Sequence, residues 1–458
     1  MNKSWKESLI YQIYPRSFND SNDDGIGDLN GILEKVEYLR DLGIDYVWIS
    51  PFFKSPQKDF GYDIEDYRQV DPIFGSNEDL RRLVDELHNS NIKVLFDLVL
   101  SHTSDQHRWF KESSQRDENE FDDWYVWADG DSKTPPNNWL SVFGGSAWKW
   151  HEQKQKFYLH NFLDCQPDLN FHNPYVQNQM LEEIKFWLEF GIDGFRFDVI
   201  NFLFHDDKLR NNPLKNTSEI RPLGFNKENP YGHQKHIYDN TRPETLAYLK
   251  KIRSLVDKYD AISIGEIVAE NALKTVGEYS RKEHLHMAYC FEFLSEDFVF
   301  SNTDKIVEAF FQNSPNSWPC WSFSNHDSER IASRIEKDPK EIMAKLLDLR
   351  GTICIYQGEE LGLLESKLKF KDLRDPFGRN FWPNYKGRDG CRTPMLWNSL
   401  EKHFGFSNHS PWLPADRTQK DKCVDIQEKD PDSMLNFSKM LIKRRLQDKA
   451  SLPSSQQK

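Results

Sequence analysis

Eight short apolar runs, separated by stretches of helical periodicity, constrain this 458-residue chain more than any other feature. They fall at 9–14, 46–50, 92–100, 195–200, 261–267, 287–293, 320–325 and 351–356. Between them, 31–42 carries Ile32, Val36, Leu39 and Leu42 on one side and stops at Gly43, and 78–88 repeats the pattern. The stretch 174–190 spaces Val176, Met180, Ile184 and Leu188 four apart, with Pro174 at its start and Gly191 past its end. These are the start and stop signals of helices that hand over to buried strands. Alternating helix and apolar strand predicts an α/β fold with a parallel sheet covered by helices, and eight strands close a (β/α)8 TIM barrel. Such barrels exceed the usual domain size as single units. The segment 102–170, rich in Trp, Asp and Gly, is too irregular for another barrel unit. It is expected to be a small domain inserted between strand three and helix three, and to build one wall of an active site. The expected division is barrel 1–101, insertion 102–170, the rest of the barrel 171–446, and a polar tail 447–458.

Composition removes several classes of function. A net charge of -13 argues against nucleic acid or an anionic membrane as partner, and a neutral substrate fits it. The six cysteines (165, 290, 320, 354, 391, 423) form no C-x-x-C pair and read as free thiols in a reducing compartment. The N-terminus has no apolar signal core and no apolar run is long enough to span a bilayer. A cytoplasmic monomer or weak homo-oligomer, without a membrane partner, is the expectation. With 14 Trp, 17 Tyr and 32 Phe the chain is rich in flat apolar faces, which pack on sugar rings as well as on each other.

Barrel enzymes place their chemistry at the carboxyl ends of the strands. Four predicted strands close on suitable groups: Asp97-Leu-Val-Leu-Ser-His102, Arg196-Phe-Asp198, Gly265-Glu266 and Ser324-Asn-His-Asp327. Arg196 and Asp198 are two apart on an extended strand and point to one face, where the cation favours the ionised form of Asp198. Packing alone explains any one of these strand ends, but not all four together. Two carboxyl groups about 5 to 5.5 Å apart suit double displacement at a sugar carbon, and a wider gap gives inversion. The sequence leaves that choice open. In the loop 20–28, Asp20, Asn22, Asp24, the Ile26 carbonyl and Asp28, with Gly25 to permit a bend, reproduce the opening ligand positions of a calcium loop. Gly31 stands where such a loop ends in Glu, so no EF-hand is expected, only a structural metal site that stiffens the loop.

These four strand ends, with Gly194-Phe-Arg-Phe-Asp198 and Phe323-Ser-Asn-His-Asp327 in full, resemble the signature regions of the α-amylase family of retaining glycoside hydrolases. Gln166-Pro-Asp-Leu-Asn170, the opening Tyr11-Gln-Ile-Tyr-Pro-Arg-Ser-Phe18 and Arg392-Thr-Pro-Met395 are similar to its oligo-1,6-glucosidase and α-glucosidase branch. The resemblance implies that Asp198 is the nucleophile, forming a covalent β-glucosyl ester, and that Glu266 is the general acid/base. Glu266 must then be protonated to donate to the leaving oxygen. Asp327 would hold sugar hydroxyls and favour the distorted transition state. His102 and His326 would bond hydroxyls, Arg196 would hold Asp198, and Tyr62 would stack on the ring. Asp59 and Arg392 would pair behind the non-reducing end, making an enzyme of chain ends. The loop 20–28 matches the family's calcium or magnesium site, and no organic cofactor is implied. Phe143 and Phe162 are candidates to line the pocket. Core packing is the competing reading for both and for Tyr62, and a satisfied barrel histidine for His102 and His326.

Three positions depart from the pattern or refine it. Ser101 stands where most relatives have Asn, a change expected to loosen one polar contact. Val199, directly after the nucleophile, is the residue associated in this branch with tolerance of α-1,6 links. The expected last helix, 433–445, is followed by no period-two strands, so the C-terminal β-domain usual in the family is expected to be absent. The function expected is a retaining, exo-acting α-glucosidase on short oligosaccharides or small glucosides, α-1,6 and/or α-1,4. The alternatives are a sucrose hydrolase or transglucosylase of the same family and, from another class, a catalytically impaired truncated sugar-binding protein.

Overall fold

The computed structural model describes residues 5–6, 8–116, 119–216 and 229–451, the side chains of 448–451 excepted. All eight predicted runs form strands: β1 (Leu9–Ile13), β2 (Tyr46–Ile49), β3 (Lys93–Val99), β4 (Gly194–Asp198), β5 (Ile262–Ile267), β6 (Met287–Cys290), β7 (Cys320–Trp321) and β8 (Thr352–Tyr356). They make one sheet in the order β6-β5-β4-β3-β2-β1-β8-β7. The pairs β1–β8, β1–β2, β5–β6, β4–β5, β7–β8 and β2–β3 run parallel. β1, β2, β4, β5 and β8 are buried along their whole length, which is why they read as continuous apolar runs rather than alternating ones.

The chain packs as two compact units, Met1–Ser50 with Val70–Phe96 and Glu292–Lys458, and Pro51–Gln69 with Asp97–Phe291. In the first, the helix Asn77–Asn89 starts at a capping box between Ser76 and Asp79 and buries Leu80, Leu83, Val84 and Leu87. The single helix expected over 31–42 is two, Leu29–Glu34 and Val36–Leu42, which part at Lys35. The first begins early because the Asp28 side chain accepts the Gly31 N–H and caps it. The last helix runs Met434–Ser451, so the expected tail is helical from 447 to 451. Its remainder, 452–458, lies outside the described residues.

In the second unit, the helix Pro174–Phe190 has the predicted caps: Asn173 accepts the Tyr175 N–H and Gly191 closes it at φ 99°. The inserted segment forms a three-stranded antiparallel sheet of Trp127–Ala128, Lys156–Leu159 and Trp148–His151, in that order. It has its own apolar cluster of Val126, Ala128, Trp139, Ala147, Trp148, Phe157 and Leu159. A bridge between His102 and Asp168 ties its two ends together. Among the described residues no helix is long and apolar enough to cross a membrane.

Candidate active site

The site is built on the contact between β4 and β5. A side chain at Gly194 would put its Cβ 2.1 Å from the Ile262 carbonyl oxygen, and the backbone there has φ 151°, so only glycine lets the two strands meet at this point. Their register sets Arg196 opposite Ile264 and Phe197 opposite Gly265. Asp198 and Glu266 are therefore the next residues along adjacent parallel strands, about 4.8 Å apart in the hydrogen-bonding direction.

One guanidinium joins them. Arg196, fully buried, donates from Nη1 to Asp198 Oδ1 and Asp97 Oδ1, both at 2.7 Å, and its Nη2 lies 2.7 Å from Glu266 Oε1. It also donates from Nη2 and Nε to the Tyr289 hydroxyl, at 2.7 and 3.1 Å, and that hydroxyl donates to Glu266 Oε1 at 2.8 Å. Glu266 Oε2 accepts the Val199 N–H at 3.1 Å. Val199 has φ 31°, ψ 49°, a left-handed conformation rare for a β-branched residue, and this bend turns its N–H back toward the neighbouring strand. Burial opposes the charge on Arg196, but Asp97 and Glu266 hold its pKa well above the usual value. Burial raises the Asp198 pKa, the Arg196 guanidinium pulls it back as the sequence reading expects, and Glu266 and Asp97 add to the rise. One cation thus serves three carboxylates.

Tyr62 donates its hydroxyl to Asp97 Oδ2 at 3.1 Å, and its ring lies 5.9 Å from the Arg196 guanidinium. His102 is fully buried and its pKa is pushed down to about 3 by burial, so its ring is neutral. Gln166 fixes its tautomer. The Gln166 Oε1 accepts the Leu163 N–H, so its Nε2 is the donor, to Asp59 Oδ2 at 3.1 Å and to His102 Nε2 at 3.2 Å. The imidazole proton is then on Nδ1, 2.9 Å from Ser101 Oγ, so Ser101 serves the histidine rather than merely loosening a contact. Phe162 packs 5.0 Å from the His102 ring and 6.4 Å from Phe143.

The remaining predicted residues form a group in the first unit. Asp327 Oδ1 accepts from Arg392 Nη2 at 2.7 Å and Arg388 Nη1 at 3.2 Å, and its Oδ2 lies 3.2 Å from His326 Nε2. His326 Nδ1 meets the Gln12 side-chain nitrogen at 2.7 Å, and its ring stacks on Tyr14. Asp375, buried, accepts from Arg388 Nη2 at 2.8 Å. Asp59 meets Gln166 in one unit and Arg392 meets Asp327 in the other.

The loop 20–28 is closed by its own side chains. Asp20 accepts the N–H groups of Asn22, Asp23 and Gly25, Asn22 accepts that of Asp24, and Asp24 that of Ile26. Asp28 accepts from the Ser21 N–H and hydroxyl and the Gly31 N–H. The donor set is the all-oxygen kind that Ca2+ and Mg2+ take, and these oxygens also accept from the loop's own backbone N–H groups. Among the described residues no three His, Cys, Asp or Glu side chains are gathered to hold a metal ion.

Comparison with known proteins follows this geometry. Residues 12–452 match the family model for the α-amylase catalytic domain, and the chain belongs to the α-amylase family. Its fold is accordingly the (β/α)8 barrel read from the eight apolar runs. It is 49% identical over 450 residues to a probable alpha-glucosidase of Rhizobium meliloti (strain 1021), covering 96% of this chain and 82% of that one. It is 36% identical over 490 residues to the oligo-1,6-glucosidase of Heyndrickxia coagulans, covering 97% of this chain and 85% of that one. The solved structure of the alpha-glucosyl transfer enzyme XgtA superposes with a TM-score of 0.95 at 49% identity, covering 97% of this chain and 84% of that one.

Sequence reasoning missed the roles of Tyr289, Gln166 and Arg388. Tyr289 sits in an apolar run and reads as core. Only its register, directly opposite Glu266 on β5, gives it away.

Proposed function

We propose that this chain is an α-glucosidase, a glycoside hydrolase that releases terminal α-linked glucose from short oligosaccharides or small glucosides by double displacement with retention. The observation that carries this is the bridging of Asp198 and Glu266 by one guanidinium on adjacent strands, supported by relatives named alpha-glucosidase and oligo-1,6-glucosidase. Asp198 attacks the anomeric carbon while Glu266 protonates the leaving oxygen. Glu266 then takes a proton from the water that cleaves the ester. Asp327 holds the sugar hydroxyls, with Arg388, Arg392 and His326 fixing its carboxylate, and Tyr62 and Phe162 supply apolar faces. Replacing Asp198 by Ala is expected to lower turnover of an aryl α-glucoside by at least about 10⁴-fold. Retained turnover would refute the assignment.

A second reading is transfer of glucose to an acceptor other than water, since sugar and alcohol hydroxyls compete for the same ester; the 49% identical structure of a glucosyl transfer enzyme favours it. Product analysis at high acceptor concentration separates transfer from hydrolysis. A panel of maltose, isomaltose and sucrose tests linkage, where Val199 favours isomaltose. A Ca2+ or Mg2+ ion held by Asp20, Asn22, Asp24, the Ile26 carbonyl and Asp28 belongs to the same proposal, as a stiffener of the loop with no part in the chemistry. A chelator is then expected to lower the melting temperature, and an unchanged melt would leave the loop to its backbone caps alone.

A further inference from the structure

We propose that Tyr289 is the positioning residue of the general acid/base, holding the Glu266 carboxyl in place to take the water's proton in the second half of the reaction; this rests on the glucosidase reading above. Three observations carry it. Tyr289 lies directly opposite Glu266 in the β5–β6 register. Its hydroxyl takes donors from Arg196 Nη2 and Nε, which accept nothing, and gives its own proton to Glu266 Oε1 at 2.8 Å. Burial raises the Tyr289 pKa well above the usual value, so the phenol remains a donor throughout.

Glu266 Oε1 thus faces two donors, Tyr289 and Arg196, and Oε2 faces one, the Val199 amide. With Oε1 taken up by two donors, Oε2 is the oxygen left to give and take the proton. In the first step that proton passes to the leaving glycosidic oxygen as the C–O bond breaks and Asp198 bonds to the anomeric carbon. In the second, water bonds to that carbon, the ester bond to Asp198 breaks, and the water's proton returns to Oε2. The bond from Tyr289 to Oε1 fixes the carboxyl with Oε2 turned to the entering water. The other charged and titratable groups facing this cluster are Arg196 and Asp198 on β4, Asp97 on β3, and Tyr62.

The test is Tyr289→Phe, which removes the donor and keeps the ring. On an aryl α-glucoside with a good leaving group, where the second step limits turnover, kcat is expected to fall roughly tenfold, the cost of one hydrogen bond to a charged group. KM should fall with it as the ester accumulates. Azide, which attacks the ester without a general base, should restore kcat. In a Glu266→Gln background the same change should cost nothing further. An unmoved KM, no effect of azide, or an equal further loss in the Glu266→Gln background would each overturn the proposal, and the double variant decides it even if the single one melts early. A wild-type protein that hydrolyses no α-glucoside fails the glucosidase reading itself. An active wild type with an indifferent Tyr289→Phe fails this inference alone.

Discussion

Arg196 is the residue on which the site's electrostatics turn. Its single charge answers Asp97, Asp198 and Glu266, all buried with it. Removing one member of a buried ionic cluster leaves the others desolvated and uncompensated, which costs far more than the net worth of the pairs. Arg196→Ala is therefore expected to destabilise the fold by about 3–5 kcal/mol in denaturant unfolding, as well as to abolish activity. A loss under about 1 kcal/mol, the range of an exposed ion pair, would mean that the cluster is open to water. At this scale the sequence was legible where a polar group interrupts an apolar run, as Arg196, Asp198 and Glu266 do. It was silent where the functional group is an aromatic among apolar neighbours, as at Tyr289.

At the scale of elements, the site depends on how closely β4 and β5 approach. Gly194→Ala would set a methyl group 2.1 Å from the Ile262 carbonyl oxygen in a left-handed backbone. The strands must separate or the residue must change conformation, so a loss of about 3 kcal/mol or more in unfolding free energy is expected. A variant as stable as the parent would show that the register is slack. Strand positions were readable because buried strands are unbroken apolar runs. Strand ends were not: the run 320–325 forms a strand only at Cys320–Trp321, since the residues beyond it leave the sheet on the way to His326 and Asp327. The helix over 31–42 was read as one piece because periodicity does not register the break at Lys35. In the loop 20–28 oxygen ligands for a metal and side-chain caps for a backbone are the same residues at the same spacing, so the pattern alone serves both uses.

Across the whole molecule, buried titratable groups oppose one another in pH. Burial pushes Asp63 up to about 6, Asp168 and Glu359 to about 7 and Glu365 to about 8. An acid whose folded pKa is raised binds its proton more tightly when folded, so its contribution is complete below the unfolded pKa of about 4 and is lost as pH rises through the folded value. Burial pushes His102, His107 and His205 down to about 3. A base depressed in this way contributes fully above the unfolded pKa of about 6.5 and loses it as pH falls. Between about pH 4 and 6.5 the two sets offset each other; above it only the acids still change. The melting temperature is therefore expected to fall from pH 6.5 to pH 8, and less steeply in Asp168→Asn, whereas a rising melt over that interval would contradict the burial of these acids. The central claim remains that the carboxylates of residues 198 and 266 work on one sugar carbon, the first by bonding to it. A fluorinated α-glucosyl fluoride that accumulates the covalent ester, followed by proteolysis and mass spectrometry, measures this most directly. The peptide containing Gly194–Asp198 should carry one sugar, attached at Asp198. A sugar on any other carboxylate, or none while the reagent is turned over, would contradict it.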